Sequence, residues 1–226
     1  MCGLCHGHAG YAEIAEVRGL EESKVKAQVV GSNHEVWLTH FEYDGQDAYP
    51  LIDEWIETKS GQYWSDYHPH YGHNQMSRAA VGVYKLTWLF PIGDTPRRGA
   101  WWFQPDLEAK KRWYGEPLGG FDSEIGWAMY LQELGRQVER IRQAAHDPSV
   151  KLTDEFKPHV TGEQHFPLID ALVNTREVML QVNVPNRGAI EGMPDTVVVE
   201  LPAWCSHRGI HPLQPTFPIS RGEGLK

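Results

Sequence analysis

Two short segments near the start of the sequence carry side chains that could hold a divalent metal ion. Cys5 and His6 lie between two glycines, and His34 follows a Gly-Ser-Asn run. A thiolate is favoured at neutral pH beside a positive charge or a metal, and imidazole is the commonest metal ligand. Two protein ligands would leave the rest of the shell to substrate and water, which describes an open, catalytic site. By residue type alone, a core thiol and a hydrogen-bonded histidine remain the alternative.

The spacing of Cys2, Cys5 and His6 also matches other kinds of cysteine site. Cys-x-x-Cys-His is the pattern of covalent haem attachment, which requires export, and we expect no export signal before Cys2. A thioredoxin-like pair would follow a strand, and half of a structural zinc site would need a second pair of ligands. We expect neither. Cys205 is predicted to be a buried core thiol.

The overall composition is typical of a soluble globular protein. The sequence has 226 residues, of which 41% are hydrophobic and 23% are charged, and its formal net charge is −9. An acidic chain lacks the basic face that nucleic acid requires. Three cysteines do not make a disulfide framework, and no apolar run approaches membrane-spanning length. We therefore expect a cytoplasmic protein that binds neither nucleic acid nor a membrane.

Several short motifs follow one another in a specific order. Cys5–Gly7 and then Asn33–Trp37 resemble the metal-binding half of glycoside hydrolase family 4, whose members depend on NAD. Residues 90–97 and 113–127 resemble the branch that acts on α-linked uronic acids, the α-galacturonidases and α-glucuronidases. Residues 183–202 resemble the family's C-terminal signature. Each motif alone is weak, but their combined order is specific.

The resemblance implies a redox-assisted elimination. Cys5 and His34 would hold Mn²⁺ or a similar ion, which two adjacent sugar hydroxyls chelate, because thiolate and oxygen donors together suit a late first-row metal. NAD⁺ would take hydride from C3 of the sugar, and the ketone would make the C2 proton acidic. With a Lewis acid stabilising the enediolate, the C1 substituent would leave, water would add, and the ketone would be reduced again.

The resemblance also implies which side chains are catalytic. His6 would transfer a proton at the leaving group, or alternatively would orient Cys5 or a metal-bound water. Asp94 is the expected base for the C2 proton. Tyr84 stays the alternative, because the family uses either aspartate or tyrosine at this step. By type alone, an aspartate in a Gly-Asp-Thr-Pro segment is equally a turn residue or a helix cap.

Three further side chains would bind the substrate. Arg97 or Arg98 would pair with the uronate carboxylate through two parallel hydrogen bonds, and a solvated arginine pair is the alternative. Asn33 offers an amide donor and acceptor to a sugar hydroxyl. The aromatic, histidine-rich segment 63–73 would form a sugar-stacking wall or a dimer interface. We expect a small α-uronide as the substrate and a homo-oligomer as the assembly.

No nucleotide-binding motif accompanies these residues. Family members begin with an NAD-binding domain, but this sequence has no Gly-x-Gly-x-x-Gly turn followed by an acidic ribose ligand. We therefore expect residues 1–226 to form a single metal- and sugar-binding C-terminal domain without a Rossmann domain, and the cofactor-binding residues are unknown. The alternative is a non-catalytic fragment that binds metal or sugar.

Helices and strands mix without regular βαβ order, which predicts an α+β fold. The resemblance implies a C-terminal domain of the lactate/malate-dehydrogenase-like type, with a mixed sheet and several helices. Periodicity predicts helices at residues 11–20, 50–59, 74–89 (with an Asn74 cap), 122–146 and 163–173. β-Branched residues predict strands at 24–39, 177–184 and 196–201. Asn33 and His34 would lie on a bend between extended segments, residues 61–73 would be irregular, and the tail after Pro202 would be extended.

Overall fold

The structure, a computed structural model, describes residues 7–32, 35–66, 75–93, 95, 108, 124–157 and 163–216. Within these residues one sheet contains the strands β1 Val25–Ser32, β2 Glu35–Tyr43, β3 Gln46–Asp47, β4 Phe90–Ile92, β5 Val178–Pro185, β6 Val198–Ser206 and β7 Gly209–Pro212. The helices are α1 His8–Arg18, α2 Tyr49–Thr58, α3 Ser60–Asp66, α4 Arg78–Thr87, α5 Glu124–His146, α6 Leu152–Glu155 and α7 His165–Val173, with a 3₁₀ turn at Glu22–Lys24.

The sheet is antiparallel throughout the described strands. Its order is β3-β2-β1-β6-β5, with β4 also beside β2 and β7 also beside β6, and each of these pairs is antiparallel. The α+β prediction is confirmed, but the expected mixed sheet is wrong for these strands. Consecutive strands such as β1 and β2 pair directly after short connections, whereas a parallel pair needs a crossover of a dozen residues or more.

The β1–β2 hairpin ends beside the predicted metal ligand His34. Ser32 pairs with Glu35, so the chain joins the two strands through residues 33 and 34 alone, which lie outside the described residues. A Cβ added to Gly31 would lie 2.7 Å from the Cα of Val36. The hairpin therefore requires glycine at position 31. The two extended segments predicted on either side of the bend are confirmed, while the bend itself, at Asn33 and His34, lies outside the described residues.

A hydrophobic core packs β1 and β2 against α1, α2 and α4. Ile52 and Trp55, on the face of α2 that its periodicity predicted, are both buried. A second, smaller cluster joins β5 and β6 to α7. It contains Cys205, whose thiol is free and buried as predicted. Burial also raises the pKa of this thiol, so Cys205 serves packing rather than chemistry.

An additional helix, α3, occupies part of the segment that we expected to be irregular. Tyr63 and Trp64 on this helix pack edge-on against Trp55, with ring centroids 5.2 and 6.3 Å apart. The indole N–H of Trp64 donates to the Met76 carbonyl at 2.9 Å. These two rings therefore belong to the core and not to a sugar-stacking wall, while residues 67–73 lie outside the described residues.

Two predicted boundaries are corrected by local structure. α4 begins after Ser77, whose hydroxyl accepts from the Ala80 N–H at 3.1 Å, as is common for serine at a helix start. The expected cap, Asn74, lies outside the described residues. Beyond Pro202 the chain does not simply extend. Instead, β6 turns back into β7 at Gly209, whose φ of 116° favours glycine.

The longest helix, α5, confirms the helix predicted for residues 122–146 over its described part. Its apolar side chains recur at three- and four-residue spacing, but several of them are exposed: Leu131, Leu134, Val138 and Ile141. The periodicity therefore predicted the helix without predicting the burial of its apolar side. Among the described helices, none is both long enough and apolar enough to span a bilayer.

Candidate metal and sugar site at the amino end of α1

The predicted site residues adjoin the described structure without being part of it. Seven side chains expected to act on metal or substrate lie outside the described residues: Cys5, His6, Asn33, His34, Asp94, Arg97 and Arg98. Their described neighbours along the chain are Gly7, Ser32, Glu35, Gly93 and Thr95. The contacts of these neighbours establish where each predicted segment leaves and re-enters the fold.

Glu200 links the amino end of α1 to the end of the β1–β2 hairpin. It pairs with Gly31 across β6 and β1, and Gly31 stands three residues before His34. A Cβ added to Gly7 would lie 2.6 Å from Oε1 of Glu200, and Gly7 stands two residues after Cys5. The backbone beside each predicted metal ligand therefore approaches the same glutamate.

Thr95 fastens the segment that contains Asp94 to the same hairpin. Its side chain is buried, and its hydroxyl accepts from the Val36 N–H at 2.7 Å and donates to the Val36 carbonyl at 2.8 Å. Ile92 pairs with Val36 in the β2–β4 ladder. Because Val36 stands two residues after His34, the flanks of Asp94 and His34 are held together.

Gln75 connects α1 to the loop before Asp94. Its side-chain N–H donates to the Pro91 carbonyl at 2.5 Å, and its Oε1 accepts from the Gly93 N–H at 2.8 Å. A Cβ added to Gly10 of α1 would lie 2.8 Å from that oxygen. Sequence reasoning missed Gln75, because nothing in the sequence separates this buried glutamine from one on the surface.

Three of the predicted segments thus have flanks at one junction of the fold. Gly7 follows the Cys5 segment, Gly31 lies near the end of the β1–β2 hairpin, and Thr95 directly follows Asp94 after β4. The structure therefore brings together the surroundings of the predicted ligands and the predicted base. The positions of the seven side chains themselves, including both arginines that follow Thr95, stay predictions.

Glu200 is the most unusual side chain at this junction. It is 0% exposed, and neither carboxylate oxygen has a partner of standard hydrogen-bond geometry among the described residues. Burial raises the pKa of Glu200 to about 7, while a hydrogen bond from Asn183, opposite it on β5, acts to lower that pKa. The buried Oε1 of Gln181 is likewise without a partner in the described part of the chain.

Sequence reasoning missed Glu200, although the sequence contained a signal. Glu200 follows three consecutive valines and precedes Leu201 and Pro202, and such an apolar run is consistent with a fully buried strand. A carboxylate in a buried strand is costly unless a donor or a charge stabilises it. A lone glutamate in a run of this kind is therefore a candidate for function as well as for structure.

The donor set fits a divalent metal ion. Within the described residues there is no group of three His, Cys, Asp or Glu side chains that could hold one, and the predicted ligands Cys5 and His34 lie outside those residues. Their thiolate and imidazole are the donors that suit a late first-row ion. The buried carboxylate of Glu200, which lies close to the described flanks of both predicted ligands, also fits, since carboxylates commonly orient metal ligands through hydrogen bonds.

Tyr84, the alternative base, is buried in the core. Its ring lies 5.5 Å from that of Phe90, measured between centroids. Its hydroxyl donates to the Asp53 carboxylate at 2.6 Å, which ties α4 to α2. Asp94 is therefore the better candidate for the base.

Asn186, in the C-terminal motif, organises the loop between β5 and β6. Its amide nitrogen donates to the carbonyls of Ile190 at 3.0 Å and Met193 at 2.8 Å, and its amide oxygen accepts from the Ile190 N–H at 2.7 Å. The side chain is buried. Asn186 therefore holds the loop backbone in place.

The comparison with protein families decides the family. The sequence profile of the family 4 glycosyl hydrolase C-terminal domain matches residues 29–219. The chain belongs to glycoside hydrolase family 4. An α-galacturonidase of Thermoanaerobacterium saccharolyticum is 24% identical over 93% of this chain and 46% of its own length, and one of Bacillus subtilis is 22% identical over 93% and 47%. The chain spans about half the length of these curated relatives.

Solved structures of two glucosidases share the fold of this family 4 chain. A 6-phospho-α-glucosidase from gut microorganisms, in complex with NAD and Mn²⁺, has a TM-score of 0.60 and 16% identity over 97% of this chain and 47% of its own. A 6-phospho-β-glucosidase of Thermotoga maritima, with manganese, NAD⁺ and glucose-6-phosphate, has a TM-score of 0.59 and 19% identity over 95% and 45%. These likenesses confirm the predicted α+β C-terminal-domain fold.

Proposed function

We propose that this family 4 chain is the metal- and sugar-binding half of a glycosidase that cleaves α-linked uronic acids. The observation that carries the proposal is the junction at which the flanks of the Cys5, His34 and Asp94 segments meet. The substrate class is supported by residues 90–97 and 113–127, which resemble the uronide branch. It is also supported by the similarity to two α-galacturonidases.

Cys5 and His34 would hold one Mn²⁺-class ion in an open site. When bound, NAD⁺ and this ion supply reversible oxidation at C3 and Lewis acidity towards the sugar oxygens. The chain contributes position, because a Cβ on Gly31 would meet the backbone of Glu35 and Val36, and a Cβ on Gly7 would meet the Glu200 carboxylate. The backbone beside both ligands is therefore packed tightly against its neighbours, as a site with few protein ligands requires.

Asp94 would take the C2 proton, and His6 would transfer a proton at the leaving group. A general base must lie within hydrogen-bond reach of the proton that it removes. Thr95 meets part of that requirement, because its two hydrogen bonds to Val36 fix the backbone directly after Asp94. His6 directly precedes Gly7, so the approach of Gly7 to Glu200 would restrain the turn that carries His6.

The charge of the chain favours a dedicated carboxylate-binding side chain. A formal net charge of −9 gives no general attraction for a uronate, so a local guanidinium would supply it. Arg97 and Arg98 follow closely after the anchored Thr95, and one of them would bind the carboxylate through two parallel hydrogen bonds. Asn33, next to His34, would bind a sugar hydroxyl.

A reconstituted assay tests the proposed function. The chain would be fused to the nucleotide-binding part of an α-galacturonidase and supplied with Mn²⁺, NAD⁺ and a reductant that protects Cys5. The substrates would be an aryl α-galacturonide, an aryl α-glucuronide and a neutral aryl α-galactoside. The proposal expects a uronide to be cleaved fastest, in a reaction that requires both cofactors and is lost in Asp94→Asn. Preference for a neutral sugar would contradict the uronide class.

A non-catalytic metal- or sugar-binding role is the second candidate, because the chain spans about half the length of its relatives. This role predicts that the fused protein binds Mn²⁺ and a uronide without turnover. Product formed in D₂O separates the two candidates. Elimination through a C2 carbanion leaves deuterium at C2 of the released sugar, whereas a background hydrolysis leaves none.

A further inference from the structure

The apolar stripe of α5 has no part in the reaction proposed above. It consists of Leu131, Leu134, Val138 and Ile141, which are between 43% and 56% exposed. We propose that this stripe is a dimer interface, on which α5 of a second copy of the chain packs antiparallel about a two-fold axis. The inference goes beyond the proposed function and does not depend on the metal site.

The spacing of the stripe is the first observation. Its four residues follow one another at intervals of three, four and three, so they occupy alternating a and d positions of a heptad. A helix of a globular protein usually has a wider apolar face, whereas an a/d stripe alone is the seam of a helix pair. Ala145, which is also exposed, continues the spacing by one position. The partner that fits the stripe is therefore another helix.

The order of the residues along the stripe favours an identical helix in the antiparallel direction. In an isologous pair, each contact between two different residues occurs twice. An axis beside Arg136 sets Leu131 opposite Ile141 of the second copy. The same axis sets Leu134 opposite Val138 of the second copy, so every layer combines a leucine with a β-branched side chain. A parallel pair would set Ile141 against its own copy at a d position, and isoleucine at d disfavours two-stranded assembly.

The flanks of the stripe carry no charges that would repel an identical helix. Gly135 on one flank and Gln137 on the other lie nearest the axis, and each would face its own copy without like-charge repulsion. Arg142 lies further along the same flank as Gly135 and would stand opposite Ala128 of the second copy. Its guanidinium is already paired with Glu139 at 2.7 Å within the helix. Like charges across an interface suppress association, and this pairing avoids them.

Another side of α5 is occupied by α6 and the residue that follows it. The Arg140 guanidinium binds the Glu155 carboxylate at 2.5 Å and lies 4.8 Å over the ring of Phe156. Ala144, one turn further along that side, is buried. These contacts leave the stripe open. Most of the stability of a helix in a protein comes from packing of its apolar face, and the second copy would supply that packing.

Sedimentation of the full chain tests the interface. The wild type should sediment as a dimer at micromolar concentration. Val138→Glu should raise the dissociation constant of the dimer about 100-fold, because the two-fold axis places two unpaired carboxylates in the apolar interface. Circular dichroism should show an unchanged fold, since Val138 is exposed in the single chain. A wild type that stays monomeric up to about 100 μM would overturn the proposal.

Two controls carry the same new carboxylate elsewhere. Gln132→Glu changes an exposed residue on a different side of α5. Ile169→Glu changes a residue of α7 that is as exposed as Val138, at 56%. Both should alter the dissociation constant by less than about twofold. Dissociation by Ile169→Glu without dissociation by Val138→Glu would move the interface to α7, and equal weakening by Gln132→Glu would assign the effect to charge alone. Either result would overturn the proposal.

Disulfide cross-linking tests the direction of the helix pair. Leu134→Cys and Val138→Cys would be made separately in a Cys2→Ser and Cys5→Ser background, in which the remaining Cys205 is buried. Mild oxidation of a mixture of the two variants should give a covalent dimer that joins residues 134 and 138, and each variant alone should give none. A covalent dimer from either variant alone would contradict the antiparallel direction. A mixture without covalent dimer would contradict the contact itself.

Discussion

Gly7 and Glu200 approach each other so closely that a Cβ on residue 7 would lie 2.6 Å from Oε1 of the buried carboxylate. Gly7 directly precedes α1, two residues after Cys5. Glu200 lies on the strand that pairs with Gly31, at the end of the hairpin that leads to His34. One side chain therefore connects the two segments that family 4 motifs assign to the metal, although almost the whole sequence separates it from Cys5.

Gly7→Ala should destabilise the chain by about 1–3 kcal/mol, because an added methyl group in a filled site forces its neighbours to move. Gly135→Ala is the control, since nothing lies within 4 Å of a Cβ added there. Alanine in the middle of α5 should be neutral or stabilise the chain by up to about 1 kcal/mol. Urea unfolding followed by circular dichroism measures both. A Gly7→Ala protein as stable as the wild type would contradict this prediction and would mean that the Glu200 carboxylate moves aside at little cost.

The pKa of Glu200 predicts that stability falls with rising pH. Burial raises this pKa in the folded chain from 4.5 to about 7, so between these values the folded state holds a proton that the unfolded state has lost. The contribution of Glu200 to stability is therefore fully present below pH 4.5 and is lost as the pH rises to about 7. A shift of this size corresponds to about 3 kcal/mol.

The variant Glu200→Gln isolates this effect, because glutamine does not ionise. In metal-free buffer, we expect the free energy of unfolding of Glu200→Gln to rise relative to wild type by about 3 kcal/mol between about pH 4 and pH 8. Denaturant titrations at several pH values give the difference curve. A difference that does not change with pH would show that Glu200 has an ordinary pKa in the fold.

Thr95→Val should destabilise the chain by about 1–3 kcal/mol. Valine keeps the shape of threonine but removes the hydroxyl that bonds both backbone groups of Val36. The control is Thr58→Val, whose exposed hydroxyl donates to the Glu54 carbonyl at 2.7 Å and whose loss should cost less than about 0.5 kcal/mol. Similar losses for the two variants would mean that Thr95 does not anchor the segment after β4.

The spacing of apolar and β-branched residues predicted helices and strands, because these elements depend on residues close together in the sequence. The spacing of Ile52 and Trp55 predicted the buried face of α2, and the β-branched residues on either side of Gly31 predicted the paired strands β1 and β2. The family motifs add the order in which the predicted metal- and substrate-binding segments follow one another. Short-range periodicity carries no information on that order. Predictions of this kind succeed because their physical causes lie within a few residues.

The remaining features depend on contacts between distant parts of the chain. The antiparallel pairing of β1 with β6 brings Gly31 to Glu200, and no pattern within either strand specifies that partner. α3 forms where Tyr63 and Trp64 find Trp55 to pack against. The sequence shows Glu200 as a single carboxylate in an apolar run. It does not show that the fold places Gly31 and Gly7 beside this carboxylate.

Arg97 and Arg98 provide the test of substrate choice in the fused enzyme. Loss of a bidentate contact to the uronate carboxylate should lower kcat/KM for the uronide about 10- to 100-fold, corresponding to about 1.5–3 kcal/mol. One of Arg97→Ala and Arg98→Ala should show this loss with little change for the neutral α-galactoside. Arg136→Ala, on the exposed side of α5, is the control and should affect neither substrate. Equal losses on charged and neutral sugars would assign the arginine to structure.

Metal content tests the central claim most directly, because the proposed chemistry needs Cys5 and His34 to share one ion. After mild purification with Mn²⁺ and removal of free metal, elemental analysis should find about one Mn²⁺ per wild-type chain. Cys5→Ser and His34→Ala should each lose it, whereas His211→Ala, which changes an exposed histidine of β7, should keep it. Full metal content in both Cys5→Ser and His34→Ala would contradict the assignment of this site.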